Sequence, residues 1–95
     1  MFYDMNDYIL RGFEKSKRKN KKYNAILFKK ENGKMYAVPF GDNRMEHYQD
    51  KTGLNMYPMQ THKDPERRRL YHLRHSKDVK EGMYSPGYFS MKYLW

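Results

Sequence analysis

The sequence predicts a small α+β protein that contains a β-hairpin, a capped basic helix, and extended or short-helical tails. Two local signals support this fold class. Asn32-Gly33 separates two apolar runs, and this dipeptide suits a two-residue hairpin turn because both central positions need a positive φ. Asp64 followed by Pro65 marks a helix start, since the aspartate can cap the first turn and the proline has no N–H to leave unpaired. We expect the hairpin at about residues 23–40 and the helix at about residues 65–76.

The first 22 residues are predicted to form an N-terminal helix and a basic arm, outside a single α+β domain at residues 23–95. Their apolar side chains have a helix-like spacing, at Phe2, Met5, Ile9 and Phe13. The run KSKRKNKK that follows repels itself and should extend, either as a solvated linker or as an arm that binds phosphate or an acidic protein surface. Its candidate binding residues are Lys15, Lys17, Arg18, Lys19, Lys21 and Lys22.

The hairpin strands are predicted to be apolar on both faces. Tyr23, Ala25 and Leu27 share one face of the first strand, and the return strand runs from Met35 towards Pro39, whose missing N–H indicates a sheet edge. Residues 40–60 then combine turn residues with scattered apolar side chains, which predicts an irregular loop. The side chains expected to pack against the hairpin are those of Tyr48, Leu54, Met56, Tyr57 and Met59.

The helix after Asp64 is predicted to have one apolar stripe and two basic faces. Leu70 and Leu73 form the stripe, which we expect to lie on the core. The basic faces should point outward or towards a partner, and arginine there can pair with carboxylates through two parallel hydrogen bonds. The candidate binding residues are Arg67, Arg68, Arg69, Tyr71 and Arg74.

The last segment is predicted to dock on the protein or on a neighbour. Residues 77–84 resemble a charged linker, and Ser85 with Pro86 can start a short final helix. The bulky pair Leu94 and Trp95 should not remain in water, so Trp95 completes the set of candidate binding residues.

Composition and charge indicate an acidic partner. The net charge is +9, and the apolar surface lies in Tyr, Met and Phe, which are enriched at protein interfaces together with arginine. So small a chain has a marginal core, and we therefore expect it to complete its burial against that partner. The absence of cysteine fits a reducing compartment. We expect neither a signal peptide nor a membrane span.

Catalytic and metal-binding interpretations are disfavoured. His72 and His75 could share a helix face, with His47 or His62 nearby, but four arginines on the same helix oppose a dication. His62 with Asp64 or Asp50 could act as an acid–base pair only within a cleft. We therefore expect no enzyme activity, no metal and no cofactor. A nucleic-acid-binding protein and a structural interaction protein both stay open, because basic segments with interleaved tyrosines suit either.

Three segments together resemble a small family of proteins encoded by nucleocytoplasmic large DNA viruses: FGDNRMEHYQDKTGL, HKDPERRRLYHLRH and YSPGYFSMKYLW. The shared positions are Phe40, Gly41, Asp42, Arg44, Tyr48 and Asp50, then His62, Asp64, Arg67, Arg68, Tyr71, Arg74 and His75, then Ser85 to Trp95. The likeness covers about residues 23–95. Met45 departs from it, since the family pattern has an aromatic residue at that position.

The resemblance implies a viral source and no catalytic role. Combined with the composition, it leads us to expect a minor capsid or virion structural protein of a large double-stranded DNA virus. Such a protein would be made in the host cytoplasm and would bridge the major capsid protein and other minor capsid proteins within the virion. The alternative is a basic viral protein that binds nucleic acid.

Overall fold

A computed structural model describes residues 2–95 and confirms the α+β class. Three antiparallel strands form a meander in the order β2-β3-β4, and two short strands, β1 and β5, pair separately. The strands are β1 (Tyr3–Asp4), β2 (Tyr8–Lys15), β3 (Lys21–Lys29), β4 (Met35–Asp42) and β5 (Met83–Tyr84). The helices are α1 (Pro65–His75) and α2 (Pro86–Phe89), with 3-10 turns at Pro58–Gln60 and Ser76–Asp78 and a π-helical turn at Ser90–Leu94.

The hairpin of β3 and β4 is confirmed. Phe28 pairs with Met35 across the turn, and Gly33 has a φ of 70°. The predicted two-residue turn is wrong, because Asn32 does not have a positive φ and the Lys29 amide donates to the Lys34 carbonyl, which leaves residues 30–33 as the loop. Pro39 lies in β4, which pairs with β3 alone and is therefore an edge strand. Both strands extend by two residues past the predicted limits, to Lys21 and Asp42.

The predicted N-terminal helix is wrong, because this segment forms strand β2. A β-bulge between Leu10 and Gly12 inserts an extra residue into the strand. As a result Leu10 and Phe13 lie opposite Leu27 and Ala25, on the same face of the sheet although they are three residues apart. Ile9 lies opposite Phe28, on the other face, so the stripe predicted to join Ile9 and Phe13 does not form.

The basic run is a hairpin turn rather than an extended arm. Lys15 ends β2, Lys21 begins β3, and the turn between them is closed by a hydrogen bond from the Ser16 amide to the Lys22 carbonyl. Because β2 pairs with β3 over most of its length, residues 8–22 belong to the same sheet as the hairpin. The proposed boundary at residue 22 therefore does not separate two structural units.

The chain closes its core from its own residues. One face of the sheet presents buried Tyr23, Ala25, Leu27, Val38 and Phe40. Phe89 and Leu94 of the C-terminal segment cover this face and are 0% and 1% exposed. The expectation of a core completed by a partner therefore does not hold for these residues. Of the loop side chains expected to pack here, those of Leu54 and Tyr57 do so, whereas those of Met56 and Met59 are exposed.

Helix α1 begins as predicted, but its packing face is different. The Asp64 carboxylate accepts hydrogen bonds from the Glu66 and Arg67 amides, which is the expected cap. The Leu stripe is not buried, since Leu73 is 67% exposed. Instead the Tyr71 ring stacks on the Trp95 ring.

The final segment follows its prediction more closely. Ser85 caps α2 by accepting a hydrogen bond from the Tyr88 amide, and Pro86 is the first helical residue. The preceding residues are not a plain linker, because Tyr84 pairs with Tyr3 in the small sheet. No helix among residues 2–95 is long and apolar enough to cross a membrane.

Candidate functional site

A pocket of about 710 Å³ lies beside α1. We call it the α1 pocket; its volume falls within the range of small-ligand sites. Helix α1, the loop after β4 and the C-terminal segment form its walls, and Lys22 of β3 also lines it. Its lining residues are Lys22, Gly41, Asp42, Met45, Glu46, His47, Arg67, Leu70, Tyr71, Arg74, His75, Ser90, Leu94 and Trp95.

A buried hydrogen-bonded pair forms part of the pocket lining. Lys22 Nζ donates to His47 Nδ1 at 2.6 Å and to the Met45 carbonyl at 2.7 Å. A lysine ammonium can only donate, so Nδ1 is the acceptor and His47 carries its proton on Nε2, which then donates to Thr61 Oγ1 at 2.8 Å. Both side chains are 1% exposed.

Burial shifts the acid–base behaviour of this pair. Desolvation lowers the pKa of Lys22 to about 8, against the weaker opposing effect of Asp42, Asp50 and Glu46. Desolvation, and then the charge of Lys22, lowers the pKa of His47 to about 4. At neutral pH the pocket therefore contains a charged amine beside an uncharged imidazole.

Gly41 allows this part of the pocket to form. Its φ of 74° is a conformation that favours glycine, and a Cβ there would lie 2.9 Å from Leu94 Cδ1 and 3.3 Å from Lys22 Cβ. The side chains of Lys22 and Leu94 can approach the backbone only because no side chain stands at Gly41.

An aromatic stack forms the wall on the α1 side. The rings of Tyr71 and Trp95 are parallel within 2° and their centroids are 4.2 Å apart. His75 lies on Tyr71 at 4.3 Å, and His62 contacts Trp95 at 5.1 Å. Burial raises the pKa of Tyr71. These rings are therefore largely engaged with one another.

Helix α1 also binds the backbone of the last residue. Arg68 Nε donates to the Trp95 carbonyl at 2.6 Å, and His72 Nε2 donates to the same oxygen at 3.1 Å. The Arg68 guanidinium lies over the Tyr48 ring at 5.3 Å. Arg68 and His72 thus hold the C-terminal segment against the helix.

Most acidic groups of the pocket are already paired. Arg67 contacts Glu46 at 2.8 Å, and Arg44 contacts Asp42 at 2.8 Å and lowers the pKa of that carboxyl to about 2. Within residues 2–95, the Arg74 side chain has neither a hydrogen bond nor an ion pair. Arg74 is therefore a cation of the pocket that is open to an external anion.

The structure brings five of the twelve predicted binding residues together. Those that line the pocket are Lys22, Arg67, Tyr71, Arg74 and Trp95. Lys22 is buried, so it does not belong to a surface arm as predicted. Arg69 is outside the pocket and pairs with Glu66 at 2.6 Å.

The remaining candidates lie in or beside the β2–β3 turn. Lys21 pairs in the sheet with Asp42, and the Asn43 amide donates to the Asn20 carbonyl at 3.2 Å, so the turn adjoins the loop that lines the pocket. The side chains of Lys15, Lys17, Arg18 and Lys19 have no ion pair within residues 2–95.

Sequence reasoning missed nine of the fourteen pocket residues, among them Gly41, His47 and Leu70. A positive φ at Gly41 could be suspected from the Gly-Asp-Asn turn signal that follows Phe40. Nothing local marks His47 as buried, because its burial depends on Lys22, which is distant in the sequence.

The histidines have structural hydrogen bonds. His62 Nδ1 accepts from the Asp64 amide at 2.9 Å, and His75 Nδ1 lies 2.9 Å from Asp78 Oδ2. In the part of the chain that the structure describes, no three His, Cys, Asp or Glu side chains form a group that could hold a metal ion. The carboxylate of Asp64 caps α1 and does not contact His62 as an acid–base partner.

The α1 pocket is suited to binding an anionic group with an apolar part. Leu70, Leu94 and Met45 supply apolar surface, and Arg74 supplies a cation without a partner. No protein-family model, curated protein or solved structure matches the chain. The evidence for what the site binds therefore comes from its own residues.

Proposed function

We propose that the chain is a minor capsid or virion structural protein that bridges other capsid proteins in a large double-stranded DNA virus. The observation that carries the proposal is that apolar side chains are exposed near both ends of the sheet. Near one end, Ile9, Phe28 and Met35 lie side by side across three strands, and Ile9 and Met35 are 40% and 53% exposed.

The second exposed apolar surface lies on α1. Leu70 and Leu73 are 40% and 67% exposed there, and Leu70 lines the α1 pocket. Lys22 of this pocket and Phe28 of the first surface are six residues apart on β3, or about 20 Å. The molecule is elongated, with extents of 41 × 26 × 21 Å. Two separated apolar surfaces on an elongated body suit a protein that contacts two neighbours.

Charge supports an acidic partner. The chain has a net charge of +9, and the β2–β3 turn presents several cations that form no ion pair with any carboxylate of residues 2–95. Positive surfaces steer association with acidic ones. The resemblance to a protein family of nucleocytoplasmic large DNA viruses adds a viral source, and together with this composition it favours a capsid as the setting for such a partner.

The proposal is tested on purified virions of the virus that encodes the chain. The chain should occur at a fixed ratio to the major capsid protein and should stay with the shell after nuclease removes the genome. Lysine-reactive cross-linking of intact particles should join Lys17 or Lys19 to capsid proteins. Release of the chain by nuclease digestion would contradict the structural role.

A nucleic-acid-binding protein is the second candidate, and the unpaired cations of the β2–β3 turn favour it. Phosphate contacts make binding strongly salt-dependent, so the affinity for duplex DNA should fall steeply between low and moderate salt. The double substitution Lys17→Gln and Lys19→Gln should reduce that salt dependence by about two charges. The single variant Arg69→Gln is the control, because Arg69 is already paired with Glu66. Weak binding without salt dependence would eliminate this candidate.

A further inference from the structure

The α1 pocket combines apolar walls with an open cation, and this combination restricts what it can bind. Leu70 is 40% exposed and Met45 61%, and both line the pocket beside buried Leu94. Arg74 lines it too and has no ion pair within residues 2–95. A fitting ligand therefore needs an apolar group and, next to it, a negative charge.

The charges of the lining favour an acidic ligand. Glu46 and Asp42 are paired with Arg67 and Arg44, so neither carboxylate leaves a free negative charge at the pocket. Lys22 adds a buried positive charge, and its ammonium donates to neutral partners only. The pocket therefore has an excess of positive charge, and a carboxylate beside Arg74 could form charge-assisted hydrogen bonds.

The exposed lining favours a peptide over a nucleotide. Single-stranded nucleic acids bind through bases stacked on open aromatic rings. Here Tyr71 already stacks on Trp95 and on His75. The apolar side chains of the lining that remain exposed, those of Leu70 and Met45, are flexible and not aromatic, and they suit an apolar anchor residue of a protein segment.

We propose that the α1 pocket binds an acidic segment of a partner protein, which inserts one bulky apolar side chain against Leu70 and Met45 and pairs a carboxylate with Arg74. This inference rests on the proposed function and names the contact through which one neighbour is held. Exposed Leu73 adjoins the pocket on α1 and extends the apolar surface for the same segment.

The test uses the full chain and a library of random dodecapeptides displayed on phage. Selection should enrich sequences in which one or two carboxylates flank Phe, Leu, Met or Trp. An enriched peptide, made synthetically, is then titrated into the chain while the emission of Trp95 is followed. Trp95 is the single tryptophan of the sequence and lines the pocket, so bound peptide should change its emission.

Two matched pairs of variants locate the binding site. Arg74→Gln should weaken peptide binding about tenfold or more, and Arg69→Gln on the same helix less than twofold, because Arg69 lies outside the pocket. Leu70→Ser should weaken binding about fivefold, and Leu73→Ser by less. Circular dichroism should show the same unfolding midpoint within each pair, so that loss of binding is not loss of fold.

Three results would overturn the inference. Selection could enrich no acidic, apolar sequence, or the enriched peptides could bind Arg74→Gln as tightly as the unaltered chain. A DNA dodecamer could instead change Trp95 emission and compete with the peptide, with sensitivity to Arg74. The virion experiment is independent of these outcomes. If the chain stays with the capsid shell but binds no acidic peptide, the contact at the α1 pocket is refuted and the structural role is not.

Discussion

Lys22 Nζ and His47 Nδ1 lie 2.6 Å apart, in a buried pair formed by a charged amine and a neutral imidazole. The same ammonium binds the Met45 carbonyl, and His47 reaches Thr61, so strand β3 is tied to two separate parts of the long loop. Neither buried side chain has its ordinary affinity for protons, and stability should therefore depend on pH in two separate ranges.

Acid should weaken the fold through His47. The unfolded chain takes up this proton near the ordinary pKa of 6.5, whereas the folded chain does so only at about 4. Between these values the unfolded state binds more protons, so the free energy of unfolding should fall as pH decreases, by on the order of 3 kcal/mol for this group. Urea unfolding at several pH values, followed by Trp95 emission, measures the loss.

His47→Asn is the matching variant, since an amide oxygen can still accept from Lys22. It should remove most of the dependence between pH 6.5 and 4. His62, whose pKa burial also lowers, acts in the same direction, so a smaller dependence should persist. An unchanged slope in His47→Asn would show that the pair does not determine it.

Mild alkali should strengthen the fold through Lys22. Its pKa is about 8 in the folded chain and 10.5 ordinarily, so the unfolded state again binds more protons between these values. The free energy of unfolding should rise with pH above 8, by about 1 kcal/mol per pH unit at most. The rise should end near pH 10, because burial raises the pKa of Tyr71 in the folded chain. Above pH 10 the unfolded chain loses this phenol proton while the folded chain keeps it, so the free energy of unfolding then falls with pH. Lys22→Met should abolish the rise; a rise that persists would refute the assignment to Lys22.

Gly41→Ala should destabilise the protein more than Gly53→Ala does. Both glycines have a positive φ, of 74° and 86°, so alanine is strained at either position. Only at Gly41 would the new Cβ also collide, with Leu94 Cδ1 at 2.9 Å, whereas nothing lies within 4 Å at Gly53. We expect a difference of about 1–3 kcal/mol in the free energy of unfolding. Equal losses, measured by urea titration, would contradict the close approach at Gly41.

Tyr71→Leu should loosen α1, and Leu73→Ala should not. The first change removes the parallel stack on Trp95 and should cost about 2 kcal/mol. The second alters a side chain that is 67% exposed and should change stability within about 0.5 kcal/mol. Amide exchange in α1 distinguishes the two variants. If the amides of α1 exchange faster in Leu73→Ala than in Tyr71→Leu, the Leu stripe and not Tyr71 is the packing face of the helix.

The elements that could be predicted depend on neighbouring residues alone. Asp64 caps α1 and Ser85 caps α2 through amides two or three residues away, and Gly33 takes its positive φ within a hairpin loop closed by hydrogen bonds between Lys29 and its near neighbours. Such signals survive in a short window of sequence because both partners lie within it.

The errors arose where distant residues decide the structure. The pairing of β2 with β3, with its bulge before Gly12, places Ile9 and Phe13 on opposite faces, although their spacing in the sequence fits a helix. Lys22 can be buried because His47 Nδ1 and the Met45 carbonyl accept hydrogen bonds from its ammonium group. Its neighbours in the sequence are a run of solvated cations, which gives no sign of this burial. On α1 it is Tyr71 that packs on Trp95, and not the Leu stripe that was predicted to pack. Trp95 is distant in the sequence, so a short window around α1 does not reveal this contact. The α1 pocket combines such distant contacts, and sequence reasoning therefore found only part of it.

The cover of the sheet has a consequence for synthesis of the chain. All three strands of the meander precede residue 43, whereas Phe89 and Leu94, which cover the buried face, are added more than forty residues later. At about 5–20 residues per second, a ribosome needs seconds to make the intervening segment. During that time the buried face lacks the cover of Phe89 and Leu94, and transiently exposed apolar surface of this kind lets misfolding compete with folding.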